Sequence, residues 1–382
     1  MVVHKDFRSL GGGEAVAAFI IEALGRENSV SVLSWSPVPV DPINRMFGTN
    51  LSVDLQVIPA PLLLRALVKL MPFLSLLKLG ILLRQCKKMA RGFDLIISTF
   101  NEADFGRIGI QYVHDPPYWL YPISPPDSVF PCNLWASLTS KRRPWMFLCG
   151  FSYERMKRNV TLTNSNWTAK KLQEIYGIES EIVYPPVLGC FPEVIWDKRE
   201  NGFVCLGRIV PCKRIEEIIN IVRRTRSKFP DTHLHIVGHV LDDAYYKRLL
   251  RLAQDADWIH VNENVSRQEL MQLITTHRYG IHGMINESFG MAVAEMICGG
   301  CIVFVPRSGG PAEIVGDDRL LFGSTEEAVA KITRVIQNGQ EQASLREYLS
   351  VRRDLFSRER FVNQMQEIAG RFMSGKDSHL SR

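Results

Sequence analysis

The sequence predicts an α/β protein of two domains, each built on a parallel sheet with helices on both faces. Two observations lead there. Short β-branched runs alternate with amphipathic stretches almost from end to end, the pattern of strand–helix–strand units whose sheets are buried on both sides. The chain also has 382 residues, 46% of them apolar and 23% charged. That is enough for two cores, and it excludes a disordered, collagenous or disulfide-scaffold protein.

Predicted strands fall at Val30–Ser34, Leu95–Ser98, Ile110–His114, Val160–Thr163, Phe203–Leu206, Leu234–Val237, Tyr279–His282 and Cys301–Val305, with a short one at Ile259–Val261. Helical periodicity fills the gaps at Glu14–Leu24, Ala169–Tyr176, Ile215–Arg226, Ala244–Asp255, Arg267–Thr275, Met291–Cys298 and Glu326–Gln337, and returns at Phe361–Phe372. These are more units than one sheet holds. Tyr184-Pro-Pro-Val187 and the polar stretch to Asn201 read as a linker. The expectation is two Rossmann-like domains, residues 1–187 and 188–360, facing across a cleft with ligands at the carboxyl ends of the strands.

Forty-six Lys and Arg against forty Asp and Glu leave a net charge of +6. This favours a phosphate-bearing ligand or an anionic surface and falls short of a nucleic-acid binder. Eight scattered Cys read as free or buried thiols. The opening residues MVVHKDFRSLGGGEA lack the apolar core of a signal peptide, so a cytoplasmic location is expected.

The sharpest motif is His282-Gly-Met-Ile-Asn286-Glu287-Ser288-Phe289-Gly290-Met291-Ala-Val-Ala-Glu295, followed by Ser308-Gly309-Gly310-Pro311-Ala-Glu313. A helix opening at Ser288–Gly290 would present its amides and positive dipole end to a diphosphate. Glu287 and Glu295 can each accept hydrogen bonds from paired hydroxyls, one set on a sugar and one on a ribose. An ordinary amphipathic helix with a capping and a surface Glu fits the same spacing. Upstream, Phe203-Val-Cys-Leu-Gly207-Arg208-Ile-Val-Pro-Cys-Lys213 is a strand, a Gly turn and two cations before a helix. Arg208 offers a planar fork to phosphate and Lys213 a compact charge, a pair suited to a departing diphosphate. Two solvated surface cations are the plainer alternative.

Gly207-Arg208-x4-Lys213, Val237-Gly238, Asn286-Glu287-x7-Glu295 and Gly309-Gly310-Pro311-x-Glu313 together resemble, in order and spacing, glycosyltransferase family four, whose members are retaining GT-B enzymes that use nucleotide sugars. The resemblance runs from Gly11 to about Phe322 and is strongest after Gly202. It implies that Arg208 and Lys213 hold the donor diphosphate, Glu287 the sugar hydroxyls and Glu295 the ribose. Ser288, Phe289, Gly290 and Met291 at the helix start would help bind the donor. In the first half Gly11-Gly12-Gly13-Glu14 opens a helix with room for a ligand against its backbone, or is a plain flexible turn. The resemblance implies that Gly12 and Gly13 lie near the donor phosphates. It places His114 of Tyr112-Val-His114-Asp-Pro-Pro near the transferred sugar, though a structural His before a tight turn fits as well. It also implies that the C-terminal helix, 361–382, crosses back to the first domain.

The expected activity is transfer of a sugar from a nucleoside diphosphate to a hydroxyl with retained configuration. Tyr112-Val-His114-x-Pro116, Asn166-Trp167-Thr168 and His282-x-Met284-x-Asn286-Glu287-x-Phe289-Gly290 look like lipid-linked-oligosaccharide mannosyltransferases. GDP-mannose is therefore the first donor expected, UDP-sugars the next, and a glycan or lipid-linked molecule the acceptor. A phosphorylase, a nucleotide-sugar epimerase and an inactive interaction protein on the same scaffold are the competing readings. No cofactor and no metal are expected: Cys298-Gly-Gly-Cys301 has no companion cluster, and Asp255-Ala-Asp257 reads as a turn. Pro61–Lys88, Leu-rich and punctuated by Arg65, Lys69, Lys78, Arg84, Lys87 and Lys88, is too interrupted to span a bilayer. It suits either core helices or a peripheral contact with an anionic membrane surface.

Overall fold

The structure, a computed structural model, describes residues 1–8, 11–52, 56–59, 75–116, 150–187, 189, 191–254, 256–263 and 265–375. The chain divides into two compact units, Met1–Pro186 with Arg358–Arg382, and Val187–Ser357.

The first unit carries a seven-stranded sheet of β1 (Val2–His4), β2 (Ser31–Ser34), β3 (Gln56–Pro59), β4 (Ile97–Ser98), β5 (Ile110–Val113), β6 (Val160–Thr163) and β7 (Glu181–Ile182). Its order is β3-β2-β1-β4-β5-β6-β7 and each pair is parallel. Val2 and Val3 are fully buried, as a central strand covered on both faces requires. The order reverses between β1 and β4, so the loops leaving these strands part and open a crevice at their carboxyl ends.

Helices of this unit are α1 (Gly12–Gly25), α2 (Val40–Phe47), α3 (Ser75–Met89), α4 (Tyr153–Lys157) and α5 (Asn166–Tyr176). Residues Ala15 to Leu24 of α1 are all buried, because the C-terminal helix Arg358–Met373 packs against α1. Phe361 from that helix meets Phe19 at 6.4 Å and Tyr112 at 6.5 Å between ring centroids. Ser165 caps α5 by accepting the Thr168 amide at 3.1 Å, and Gly177 ends it in the left-handed region.

The structure decides between the two readings of the Leu-rich segment for its described part. In α3, Leu79, Leu82, Leu83 and Cys86 are buried at helical spacing in the core beside Val3, Leu33 and Phe105. Lys87 is drawn inward to Asp104 at 2.8 Å and the Gly150 carbonyl at 2.6 Å. This half is a core helix. Residues 60–74, with Arg65 and Lys69, lie outside the described residues.

The second unit repeats the arrangement with six strands, β8 (Glu200–Leu206), β9 (His233–Gly238), β10 (Ile259–Glu263), β11 (His277–Ile281), β12 (Ile302–Pro306) and β13 (Leu321–Phe322), in the order β10-β9-β8-β11-β12-β13. All are parallel, with the switch point between β8 and β11. Its helices are α6 (Ile215–Arg226), α7 (Asp243–Ala253), α8 (Arg267–Thr276), α9 (Met291–Cys298), α10 (Gly309–Val315), α11 (Thr325–Gln337) and α12 (Gly339–Arg352). The predicted linker to Asn201 is instead part of this unit. Trp196 is buried there, its indole N–H on Gln342 Oε1 at 3.2 Å and the Arg346 guanidinium over its ring.

Candidate functional site

Two loops meet at the switch point of the second sheet. Leaving β8, the chain turns through Gly207 at φ +137°. A Cβ on Gly238, at the end of β9, would stand 1.7 Å from the Gly207 carbonyl oxygen. Only glycine at 238 lets the turn lie directly on the neighbouring backbone, where the Gly207 amide donates to the Val237 carbonyl at 3.0 Å. A short 3-10 turn, Pro211–Lys213, then leads into α6, whose first amide is taken by the Tyr245 hydroxyl at 3.0 Å. Arg208 is exposed, and among the described residues nothing pairs with its guanidinium. Lys213, in contrast, is buried, and its Nζ lies 2.8 Å from Glu287 Oε1.

Glu287 arrives on the second loop, after β11. The buried His282 places Nε2 2.6 Å from Glu287 Oε2, so the carboxylate sits between two basic groups. Burial pushes its pKa up, but His282 and then Lys213 outweigh burial and hold it at about 2. The backbone around it is pinned from outside. Asn286 takes φ +58° and donates its amide to Ser308 Oγ at 3.2 Å, and the Gly310 amide donates to the Glu287 carbonyl at 2.7 Å. A Cβ on Gly309 would approach the Glu287 carbonyl oxygen to 2.5 Å, and one on Gly310 the Phe289 Cα to 2.5 Å. The glycine pair of the motif thus lets the start of α10 press against the 286–290 backbone.

Gly290, left-handed at φ +105°, opens α9 without a side-chain cap. Its carbonyl accepts the Val293 and Ala294 amides, which leaves those of Met291 and Ala292 outside the helical ladder and available to an anion. Ser288 is half-buried beside them. The Phe289 side chain is buried, its ring centroid 6.0 Å from that of Phe356, which holds the backbone at the start of α9 in place. Glu295 lies further along α9, its Oε1 2.7 Å from Arg267 Nη1 on α8, so any ribose contact would compete with this ion pair.

In the first unit the loops after β1, β4 and β5 enclose an open pocket of about 700 Å³ walled by His4, Gly13, Glu14, Thr99, Asn101 and His114. Gly12 and Gly13 form the first turn of α1, and a Cβ on Gly13 would meet nothing within 4 Å. Glu14 Oε2 accepts the Gly11 amide at 2.9 Å. His114 is fixed by its backbone, which donates to Asn101 Oδ1 at 2.8 Å and accepts from Asn164 Nδ2 at 2.8 Å. Its Nε2 lies 3.1 Å from the Thr99 carbonyl, which requires Nε2–H and leaves Nδ1 as an acceptor. Burial pushes the ring down to about 4, so it is neutral at pH 7.

Sequence reasoning quoted His282 without assigning it a role and missed Arg267 and Asn101. Arg267 and Asn101 reach predicted residues across 28 and 13 positions, while His282 reaches Glu287 within the motif itself. It also saw no histidine cluster, whereas His233, His235 and His277 come together from β9 and β11. Burial pushes the Cys298 and Cys301 thiols up to about 12, far from thiolate chemistry. Asp255 lies outside the described residues.

Residues 191–350 match the family model "Glycosyl transferases group 1". This stretch is a glycosyltransferase group 1 domain. Over 234 residues, 54% of this chain and 46% of the relative, the sequence is 25% identical to the GDP-Man:Man(3)GlcNAc(2)-PP-Dol alpha-1,2-mannosyltransferase of Dictyostelium discoideum. The protein of that name from Homo sapiens is 26% identical over 174 residues, 40% of this chain and 35% of its own. The chain thus spans less than half the length of these curated relatives. Among solved structures, Anabaena Alr3699/HepE in complex with UDP and glucose superposes with a TM-score of 0.67 at 16% identity, covering 97% of this chain and 99% of that one. Sucrose-phosphate synthase from Thermosynechococcus elongatus gives 0.70 at 15%, covering 98% and 99%. The fold is GT-B, with the group 1 domain as its second Rossmann-like unit.

Proposed function

We propose that this protein is a retaining glycosyltransferase that moves a sugar, mannose from GDP-mannose first and UDP-sugars next, to a hydroxyl of a glycan or lipid-linked acceptor. The observation that carries the reading is Glu287 held between Lys213 and His282 at the switch point, beside the exposed Arg208 and the open amides of α9. A bound diphosphate draws Lys213 and Arg208 to its oxygens and stabilises the charge that develops as the bond from the sugar C1 to phosphate breaks. Glu287, relieved of Lys213 and still held by His282, accepts hydrogen bonds from the sugar hydroxyls. The acceptor oxygen bonds to C1 on the same face, and its proton passes to the departing phosphate oxygen. The protein's own cations take the neutralising role, so turnover is expected to survive chelation. The first-unit pocket is read as the place of the acceptor, with Gly12 and Gly13 toward the donor phosphates and His114 toward the transferred sugar. The names of the curated relatives support GDP-mannose and a lipid-linked acceptor.

Among the described residues no helix is long and apolar enough to cross a membrane. A lipid-linked acceptor would place the enzyme peripherally on an anionic surface at the cytoplasmic face.

The test is incubation with GDP-mannose, then UDP-glucose, with and without a lipid-linked oligosaccharide, following nucleotide release and the product anomer. Acceptor-dependent release with retained configuration is expected. Sugar phosphate or an altered sugar nucleotide formed without acceptor would replace the reading with the phosphorylase or epimerase. Failure of every nucleotide to react or to raise the melting temperature would leave the inactive scaffold.

A further inference from the structure

At the other end of the second sheet, where its strands begin, three imidazoles meet. His233 opens β9, His235 follows two residues later on the same face, and His277 opens β11. One ligand nitrogen from each lies within 4.8 Å of the others, and His233 Nε2 is 3.0 Å from His277 Nε2. Between them runs β8, which begins with Glu200, and Glu200 Oε2 is 3.3 Å from His233 Nε2.

Outer contacts orient the rings. His277 Nδ1 donates to the Leu273 carbonyl at 2.7 Å, His235 Nδ1 lies 3.0 Å from Asn262 Oδ1, and His233 is hydrogen-bonded to the Asp231 backbone. A ring whose Nδ1–H is engaged in this way turns a lone pair on Nε2 outward, the arrangement of metal-ligating histidines. The backbone makes room for them: a Cβ on Gly202 would stand 2.3 Å from His233 Nε2 and 2.5 Å from His277 Cδ2. The cluster opens into a pocket of about 300 Å³ whose wall includes His260 and Asp257. Arg226, in the same wall, is held back by the Thr232 carbonyl and the Trp258 ring, 5.2 Å away.

We propose that His233, His235 and His277, with Glu200 as a fourth ligand, bind a first-row divalent metal ion, zinc foremost. Three imidazoles and a carboxylate are a donor set that suits tetrahedral zinc, and Glu200 on the solvent side gives the ion a way in. The ion would tie the starts of β8, β9 and β11. The length of β9, roughly 16 Å, separates this end from Gly238 and the loops at the switch point. Its role is therefore to hold the sheet together, and it stands apart from sugar transfer.

The experiment uses the full chain, dialysed against EDTA and titrated with zinc chloride by calorimetry, with metal content measured after gel filtration. One zinc per chain is expected. The transition of the second unit should melt about 5–10 °C higher at zinc a hundredfold over its Kd. His235→Gln and Glu200→Gln should each weaken binding by tenfold or more, while Glu295→Ala binds as wild type. Cobalt should give the intense visible bands of a tetrahedral site in wild type and not in His235→Gln. No zinc retained by wild type, or equal binding by His235→Gln and by His233→Gln, would overturn the proposal and leave an imidazole–imidazole hydrogen bond as the whole content of the cluster. Where His277→Gln fails to fold, the two partly exposed positions carry the test.

Discussion

Lys213→Met tests the heart of the switch-point cluster, because it removes a charge and keeps most of the side-chain volume. Severing a buried ion pair costs roughly 3–5 kcal/mol when the remaining charge has no other partner. Here His282 keeps its place 2.6 Å from Oε2 and the Glu287 side chain is 21% exposed, so about 2–3 kcal/mol is expected. The pH dependence carries a second signature. Glu287 is held at about 2 against an ordinary 4.5, so its stabilisation is present above pH 4.5 and is lost as pH falls toward 2. Without Lys213 the folded-state pKa rises and the acid loss begins at a higher pH. Urea denaturation across this range, followed by fluorescence, reads both effects. A change below about 0.5 kcal/mol with an unmoved acid limb would show that Lys213 and Glu287 do not share their charge, and the assignment of Lys213 to a diphosphate would fall with it.

Three further outcomes follow from the same geometry. Arg208→Ala should leave the urea midpoint unchanged, since the side chain is exposed, while lowering turnover about a hundredfold. Gly238→Ala would set a Cβ 1.7 Å from the Gly207 carbonyl oxygen and should cost about 3 kcal/mol or more by thermal melting, with donor binding lost as the β8 turn is displaced. His114, pushed from 6.5 to about 4, binds its proton in the unfolded state first, so stability should fall as pH drops from 6.5 to 4, and His114→Asn should flatten that limb in pH-dependent denaturation.

The α/β alternation was legible because central parallel strands are apolar on both faces and their helices are not: Val160–Thr163, Ile215–Arg226 and Met291–Cys298 fall where periodicity puts them. Most of what escaped was short or locally atypical, but the 14-residue α12 escaped too, because its apolar residues do not gather on one face. Strand β1 has three residues, β7 and β13 two each, and α10 begins with Gly-Gly-Pro, a turn signal that here opens a helix. The Leu-rich segment was ambiguous for a physical reason. Leu79, Leu82 and Leu83 make the same stripe whether they face lipid or a sheet, and only their burial beside Val3, Leu33 and Phe105, with Lys87 reaching Asp104, distinguishes the cases. At the site, Glu287 and Lys213 were visible as motif residues, but their pairing spans 74 positions and no spacing rule reports it. The histidine cluster was hidden in the same way, since His277 comes to the pair on β9 from a different strand.

The C-terminal helix Arg358–Met373 completes the first unit although 171 residues of the second precede it. The second unit is therefore an insertion whose two ends are tied together, the Val187 amide donating to the Phe356 carbonyl at 2.9 Å. During synthesis this inserted unit is contiguous and can close its core as soon as it emerges. The first must wait with one face of α1 bare until the helix carrying Phe361 arrives. A nonsense mutation at Arg358 itself would thus spare the part of the protein next to it in sequence and unfold the part begun at residue 1.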